Sequence, residues 1–185
     1  MSVGAHIVTA PTRSRYSIAV RLAHWLTVLA IVAAYLLVEL GEDDDGGGSP
    51  GLVMQSHYLA GLAVLALLVI RVVAMARGHR PPIVPPPDRL STLAARVTHL
   101  ALYLFLLVEP ILGILAVNYA GQPVTLPWSG TALPMLVQAN PGAREVVEEL
   151  HESLGEIFYW VIGLHVAAAL WHHLVKRDNT LRRML

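Results

Sequence analysis

Cysteine is absent from this 185-residue chain. That excludes disulfides, cysteine-ligated iron–sulfur clusters and covalent c-type haem attachment. Any metal or cofactor must be held by histidine, carboxylates or backbone. Charge is scarce as well. Asp, Glu, Lys and Arg make up 14% of the residues, against about a quarter in soluble domains. Thirteen basic residues balance thirteen acidic ones, so no bulk attraction to nucleic acid exists.

Apolar sequence is abundant, at 55% of the chain. It falls into four stretches, at about 18–40, 52–76, 93–117 and 157–175, the last with a helical lead-in that extends it back to about 150 and beyond. Each is close to the roughly 20 residues that a helix needs to cross the hydrocarbon of a bilayer. A buried helix of a soluble protein is a poor alternative, since four such stretches leave little polar sequence between them. The expectation is an all-α integral membrane protein, a four-helix bundle forming one domain over 1–185. The first stretch reads as a span and not a signal peptide. It is long, carries His24 and Glu39, and runs into an acidic segment.

The connections differ in chemistry. GEDDDGGGSPG at 41–51 is short and acidic; RGHRPPIVPPPDR at 77–89 is basic, proline-rich and stiff. The stretch from Asn118 to Pro141 holds glycines, prolines and Trp128 and reads as an irregular loop. Basic residues set the orientation. Arg13, Arg15 and Arg21 precede or open the first span, and Arg71, Arg77, Arg80, Arg89 and Arg96 flank the 77–89 connection. Lys176, Arg177, Arg182 and Arg183 close the chain. With four spans all of these share one side, and Arg144 alone lies opposite. Both termini of the multi-pass protein are therefore expected in the cytoplasm.

Polar groups inside a bilayer are costly and point to function. His151, Gly155, Phe158, Ile162, His165, Ala169 and His172 share one face of the fourth helix. His151 and His165 lie about 21 Å apart along it, so they serve two different cofactors. Depth pairs His57 with His151 at the periplasmic end and His24 with His165 toward the cytoplasm. On straight helices the second pair is about 6 Å out of register. Facing imidazoles on a helical bundle suit haem b, whose iron takes two trans axial ligands. The expected metal ligands are His24, His57, His151 and His165, for two haem b groups. Gly61 and Gly155 each lie one turn from a proposed ligand and give either room for a porphyrin or tight helix packing. Arg21 and Arg71 suit haem propionates or snorkel toward the interface. His99 suits a propionate, a quinone headgroup or a structural hydrogen bond. His172 shares the ligand face and rivals His165. Glu109 with Pro110 is expected to interrupt the third helix, as a proton path or a local kink. Trp25, Trp160, Trp171 and Tyr119 read as interface anchors or haem packing.

Four segments together resemble the prokaryotic cytochrome b561 family: SIAVRLAHW at 17–25, MQSHYLAG at 54–61, LHESLGEIFYWVIGLHVAAALWHH at 150–173 and KRDNTLRRM at 176–184. The resemblance implies a two-haem inner-membrane cytochrome with ligands at His24, His57, His151 and His165. It also implies electron exchange with ubiquinone and, in some members, oxidation of periplasmic superoxide. NYAGQPVTLPW at 118–128 carries no Lys or Arg, where relatives tend to hold a basic residue. The first functional expectation is a quinone-linked oxidoreductase, a superoxide:ubiquinone oxidoreductase if superoxide is the donor. The second is a non-enzymatic haem b subunit docked on a dehydrogenase or hydrogenase. A haem-free transporter or assembly protein is the third, and it predicts a colourless preparation. The expected partners are membrane lipid, ubiquinone and a superoxide or redox-protein donor.

Overall fold

A computed structural model describes residues 14–41 and 51–185. His6, Arg13 and the acidic run Glu42 to Asp45 lie outside the described residues. Four helices follow in order: α1 (Ile18–Gly41), α2 (Leu52–Arg77), α3 (Arg89–Tyr119) and α4 (Pro141–Trp171). A π-helical turn, His172–Lys176, extends α4. All four are long and apolar enough to cross a membrane, and at most 11% of each one's most apolar stretch is buried. Their apolar side chains face outward instead, Trp160 being 83% exposed. Such a surface is stable in lipid and not in water. The protein is an all-α membrane bundle.

The third and fourth helices start earlier than their apolar stretches indicate, because their first turns are fixed by caps. Asp88 accepts from the Ser91 amide at 2.8 Å and from its hydroxyl at 2.7 Å. Asn140 accepts from the Ala143 amide at 3.2 Å, with Pro141 following it. A cap relieves the orphan amides of the first turn. Hydroxyls inside the spans bond backward to their own helix. Thr27 donates to the Ala23 carbonyl at 2.7 Å, and Ser56 to that of Leu52 at 2.7 Å. The expected interruption at Glu109 and Pro110 does not occur. Helix α3 runs unbroken through Pro110, since neighbouring helices can offset one lost backbone bond in a membrane span.

Helix α1 packs on α2, α2 on α3 and α3 on α4. No Cα of α1 comes within 8 Å of one in α3 or α4. The molecule is thus two hairpins joined along α2 and α3, with a gap between α1 and α4. Val64, Leu68, Phe105 and Leu106 form a buried layer at mid-height, with Ala30, Ile31, Phe158 and Ile162 against it. Phe105 stacks on Phe158 with centroids 4.1 Å apart.

The α3–α4 connection is more ordered than its composition indicates. Thr125 and Ala132 pair in an antiparallel bridge, and the Leu133 amide donates to the Val124 carbonyl at 2.8 Å. Asn118, 1% exposed, anchors this turn. It accepts from the Leu136 amide at 2.8 Å and donates to the Gln122 carbonyl at 3.1 Å.

At the other end the chain folds back after α4. Arg177 adopts a left-handed conformation, with φ 53°. Asp178 accepts from the Thr180 amide at 2.8 Å and pairs with His172 Nδ1 at 2.5 Å. Asn179 accepts from the Val84 amide at 2.8 Å and donates to the Pro82 carbonyl at 3.2 Å. The Tyr16 amide donates to the Arg183 carbonyl at 3.1 Å, and the Trp25 indole to that of Met184 at 2.9 Å. Arg21 donates to the Leu185 backbone oxygen. The tail therefore clasps the start of α1 to the α2–α3 connection.

Two outcomes follow. Asn118→Ala strands the Leu136 amide, and a loss of about 1–3 kcal/mol is expected in thermal unfolding of the detergent-purified protein; an unchanged midpoint would refute the anchor. Burial works against the Asp178 carboxylate, but hydrogen bonds from His172 and Thr180 outweigh it and hold its pKa below the usual value. A lowered folded pKa means stability that is present above the unfolded value, about 3.9, and lost as pH falls through the folded one. Hydrogen exchange of residues 178–184 should accelerate in that acidic window, and the acceleration should vanish in Asp178→Asn.

Candidate functional site

Each end of the bundle gathers imidazoles. At the end holding the α1–α2 and α3–α4 connections, here the loop end, His57 on α2 faces His151 on α4. Their ring centroids are 6.2 Å apart and their planes lie at 81°. His57 Nδ1 lies 2.9 Å from the Ala34 carbonyl of α1. His151 Nδ1 lies 3.1 Å from the Glu109 carbonyl and 3.1 Å from the Glu109 carboxylate. A carbonyl can only accept, so both Nδ1 atoms carry the proton and both Nε2 lone pairs are left free.

A cavity of about 420 Å³ opens beside these rings. His57, Gly61, Glu109, His151 and Gly155 line it, and Val124 of the α3–α4 turn covers part of it. A Cβ at Gly61 would touch only Pro110, at 3.8 Å, and one at Gly155 would meet the Glu109 carboxylate at 3.4 Å. Both glycines therefore keep cavity space open. Gly113 is the tighter position: a Cβ there would lie 3.2 Å from the His151 ring. Tyr35 donates to the Gly155 carbonyl at 2.7 Å and ties α1 to α4 across the gap.

At the opposite end, where α1 begins and α4 closes, His24 on α1 and His165 on α4 have centroids 6.5 Å apart. The register mismatch expected of straight helices does not keep them apart. His99 on α3 lies 5.5 Å from His165, edge to face. Trp25 stacks on His24 at 5.3 Å. The structure brings His165, and not His172, to His24; His172 is held by Asp178. Arg71 lies over the Tyr103 ring at 5.4 Å, and its charge acts on His24, His99 and His165.

Two opposed imidazoles on one metal, at about 2 Å per bond, set their centroids about 6 Å apart. Both pairs meet that spacing. Among the described residues no group of three or more His, Asp or Glu converges as a bare metal ion requires. A planar cofactor that brings its own equatorial donors needs only the pair. The contact between Glu109 and His151 is invisible in sequence because 42 positions separate them. The only available signal was a carboxylate placed in an apolar span.

Fold and site define a membrane four-helix protein with an imidazole pair at each end. The chain belongs to the prokaryotic cytochrome b561 family, whose profile matches residues 15–185. It is 36% identical over 165 residues to cytochrome b561 homolog 1 of Escherichia coli (strain K12), covering 88% of this chain and 92% of that one. It is also 36% identical over 162 residues to the probable superoxide oxidase CybB of Yersinia pestis, covering 88% and 90%. Cytochrome b561 homolog 2 of Escherichia coli (strain K12) is 30% identical over 179 residues, covering 94% and 93%. Membership implies haem b binding, electron transport and oxidoreductase chemistry.

The glycine geometry yields a paired prediction. Gly113→Val should press on the His151 ring and cost about 1–3 kcal/mol. Gly163→Ala, with nothing within 4 Å of its new carbon, should leave thermal stability near that of the parent. Equal effects of the two substitutions would contradict the described packing.

Proposed function

We propose that this chain is a di-haem b cytochrome of the bacterial inner membrane that carries electrons between a periplasmic donor and ubiquinone. His57 and His151 hold one haem and His24 and His165 the other. The observation that carries the reading is the pair of opposed imidazoles at each end, 6.2 and 6.5 Å between centroids. Haem held by two imidazoles supplies one-electron transfer and leaves no open position for oxygen. The protein's own part is to orient the rings. The Ala34 and Glu109 oxygens fix the tautomer at the loop end, a role that outer carbonyls and carboxylates commonly play for metal-bound histidine. Gly61 and Gly155 leave the porphyrin its space, and Arg21 and Arg71 serve its carboxylates.

Orientation follows from charge. Arg15, Arg71, Arg77, Arg80, Arg89, Arg96, Lys176, Arg177 and Arg182 belong to the end with the termini, which faces the cytoplasm, while Arg144 stands alone opposite. This reading looks for ubiquinone beside the loop-end cavity and the 118–149 segment. Superoxide is the donor favoured by the Yersinia pestis relative's name. Two superoxide ions would give two molecules of dioxygen, and one quinone would take the two electrons with two protons to give quinol.

A specific observation favours a second reading. Glu39, Glu152 and Glu156 line the loop-end cavity, and Arg144, the sole basic residue there, is paired with Glu148 at 3.1 Å. An acidic rim repels an anion and attracts a cationic protein. That suits a haem b subunit docked on a dehydrogenase or hydrogenase.

The test is a reduced-minus-oxidised spectrum of the purified protein, with haem counted per chain, for the parent, His57→Ala and His165→Ala. Two b haems in the parent and one in each variant are expected. A colourless parent, or variants that keep both haems, would sink the assignment. Superoxide generated in the same cuvette should then reduce the protein faster than it dismutates. A rate no faster than dismutation hands the donor role to a protein partner.

A further inference from the structure

Among the described residues, Arg71 and Arg183 near the His24–His165 pair each bury an Nε that has no partner and meet no carboxylate, whereas Arg21 donates to the Leu185 backbone oxygen. Arg183 is the most enclosed of them, at 9% exposed. Its guanidinium lies over the Tyr16 ring at 5.1 Å and donates to the Tyr16 hydroxyl at 2.8 Å. The next residue, Met184, accepts at 2.9 Å from the indole of Trp25, whose ring stacks on His24 at 5.3 Å, so the tail carries Arg183 to the His24 end of the pair.

Among the described residues the carboxylates at this end are engaged elsewhere, and the Leu185 oxygen accepts from Arg21. Asp88 is exposed, caps α3 and lies 4.0 Å from Lys176. Asp178 is taken by His172 and Thr180. A guanidinium buried without a counterion is strongly unfavourable, and a planar fork of donors is matched to a carboxylate. The missing partner is therefore an anion from outside the chain, and its place beside the imidazole pair selects among the anions available. A porphyrin held there carries two propionate carboxylates.

We propose that Arg183, carried in by the folded-back tail, pairs with a propionate carboxylate of the haem at His24 and His165, alongside Arg71. The inference rests on the two-haem reading above. It gives the closing segment a function: the DNTLRR turn brings the last cation of the cofactor site into position. Arg177 reverses the chain, Asp178 and Asn179 fasten the turn, and Tyr16 orients the guanidinium so that its Nε faces inward.

The experiment uses the full chain in detergent in a His57→Ala background, which keeps only the haem in question. The readout is the rate of haem transfer to excess apomyoglobin, followed optically. Arg183→Gln should speed transfer roughly tenfold to hundredfold, as expected for a lost charge-assisted hydrogen bond. Arg183→Lys should fall between the two. Protein reconstituted with the dimethyl ester of haem, which has no carboxylate, should lose it equally fast with and without the Arg183→Gln change. Tyr16→Phe removes one tie to the tail and keeps the ring, so its effect should be smaller than that of Arg183→Gln. An unchanged rate in Arg183→Gln overturns the proposal. So does an Arg183→Gln effect that persists in full with the ester, because Arg183 would then only fasten the tail. Slower transfer on adding anionic lipid in the parent but not in Arg183→Gln, with no ester effect in the parent, assigns the anion to a lipid phosphate and also overturns it. A haem-free His57→Ala protein beside a two-haem parent would show linked loss of both sites, and the ester comparison would then be read in the parent chain. A haem-free parent would instead refute the two-haem reading itself.

Discussion

Hydrocarbon offers no hydrogen bonds, so each polar group in these spans must be satisfied inside the bundle. That constraint explains most of the cross-helix contacts. The hydroxyls of Thr27 and Ser56 turn back onto their own helices. The Tyr35 hydroxyl crosses the gap to Gly155. His57 and His151 give one ring nitrogen each to backbone oxygens of neighbouring helices. What is left unsatisfied is then informative. Two Nε2 lone pairs at the loop end, His24 Nδ1 and three guanidinium nitrogens at the other end are not explained by packing alone. They are capacity for something the chain binds.

The bundle's arrangement keeps that capacity in two separate places. The layer of Val64, Leu68, Phe105 and Leu106 lies between the ends, and each helix contributes its polar residues above or below it. Because α1 stays apart from α3 and α4, long side chains bridge the gap where backbones do not. A tight bundle would bring helices to about 8–10 Å on every side and leave no room for a porphyrin. In the two-haem reading, looseness on one side is a requirement of the site. The cost is fewer interhelical contacts, and the clasp formed by residues 178–185 ties α1 back to the rest at the end where the gap would otherwise be free.

The spans were legible in the sequence because lipid imposes length and apolarity on every one of them. Their ends were not, since Asp88 and Asn140 extend α3 and α4 by local capping into polar sequence. The histidine pairs were legible by depth, a one-dimensional coordinate that a helix converts directly from residue number. His24 and His165 meet despite a nominal offset, because helix tilt and long side chains are not encoded in spacing. His172 was a rival on periodicity, disfavoured by its place beside Lys176 and Arg177, and the fold shows it paired with Asp178 while His165 faces His24. Pro110 signalled a break that does not form. Glu109 beside His151, Asn118 under the α3–α4 turn and the roles of the DNTLRRM residues all depend on which distant backbone passes nearby. No local pattern carries that information.

Charge is polarised along the bundle axis, and this bears on direction. Glu39, Glu145, Glu148, Glu149, Glu152 and Glu156 surround the loop end against Arg144. Arg71 and Arg183 stand near the imidazoles of the other end. An added electron is a negative charge, and its energy in a low-dielectric interior is set by the fixed charges around it. The acidic end disfavours it and the cationic end favours it. In the two-haem reading this polarity draws an electron from the loop end toward the end where α4 closes, and its return to a quinone at the loop end must be driven by the quinone's own affinity for electrons. In the same reading a donor at the loop end must be a strong reductant, and a cationic one is drawn to the rim before transfer. An anionic donor meets the same rim as a barrier, so its reducing strength must outweigh the work of approach.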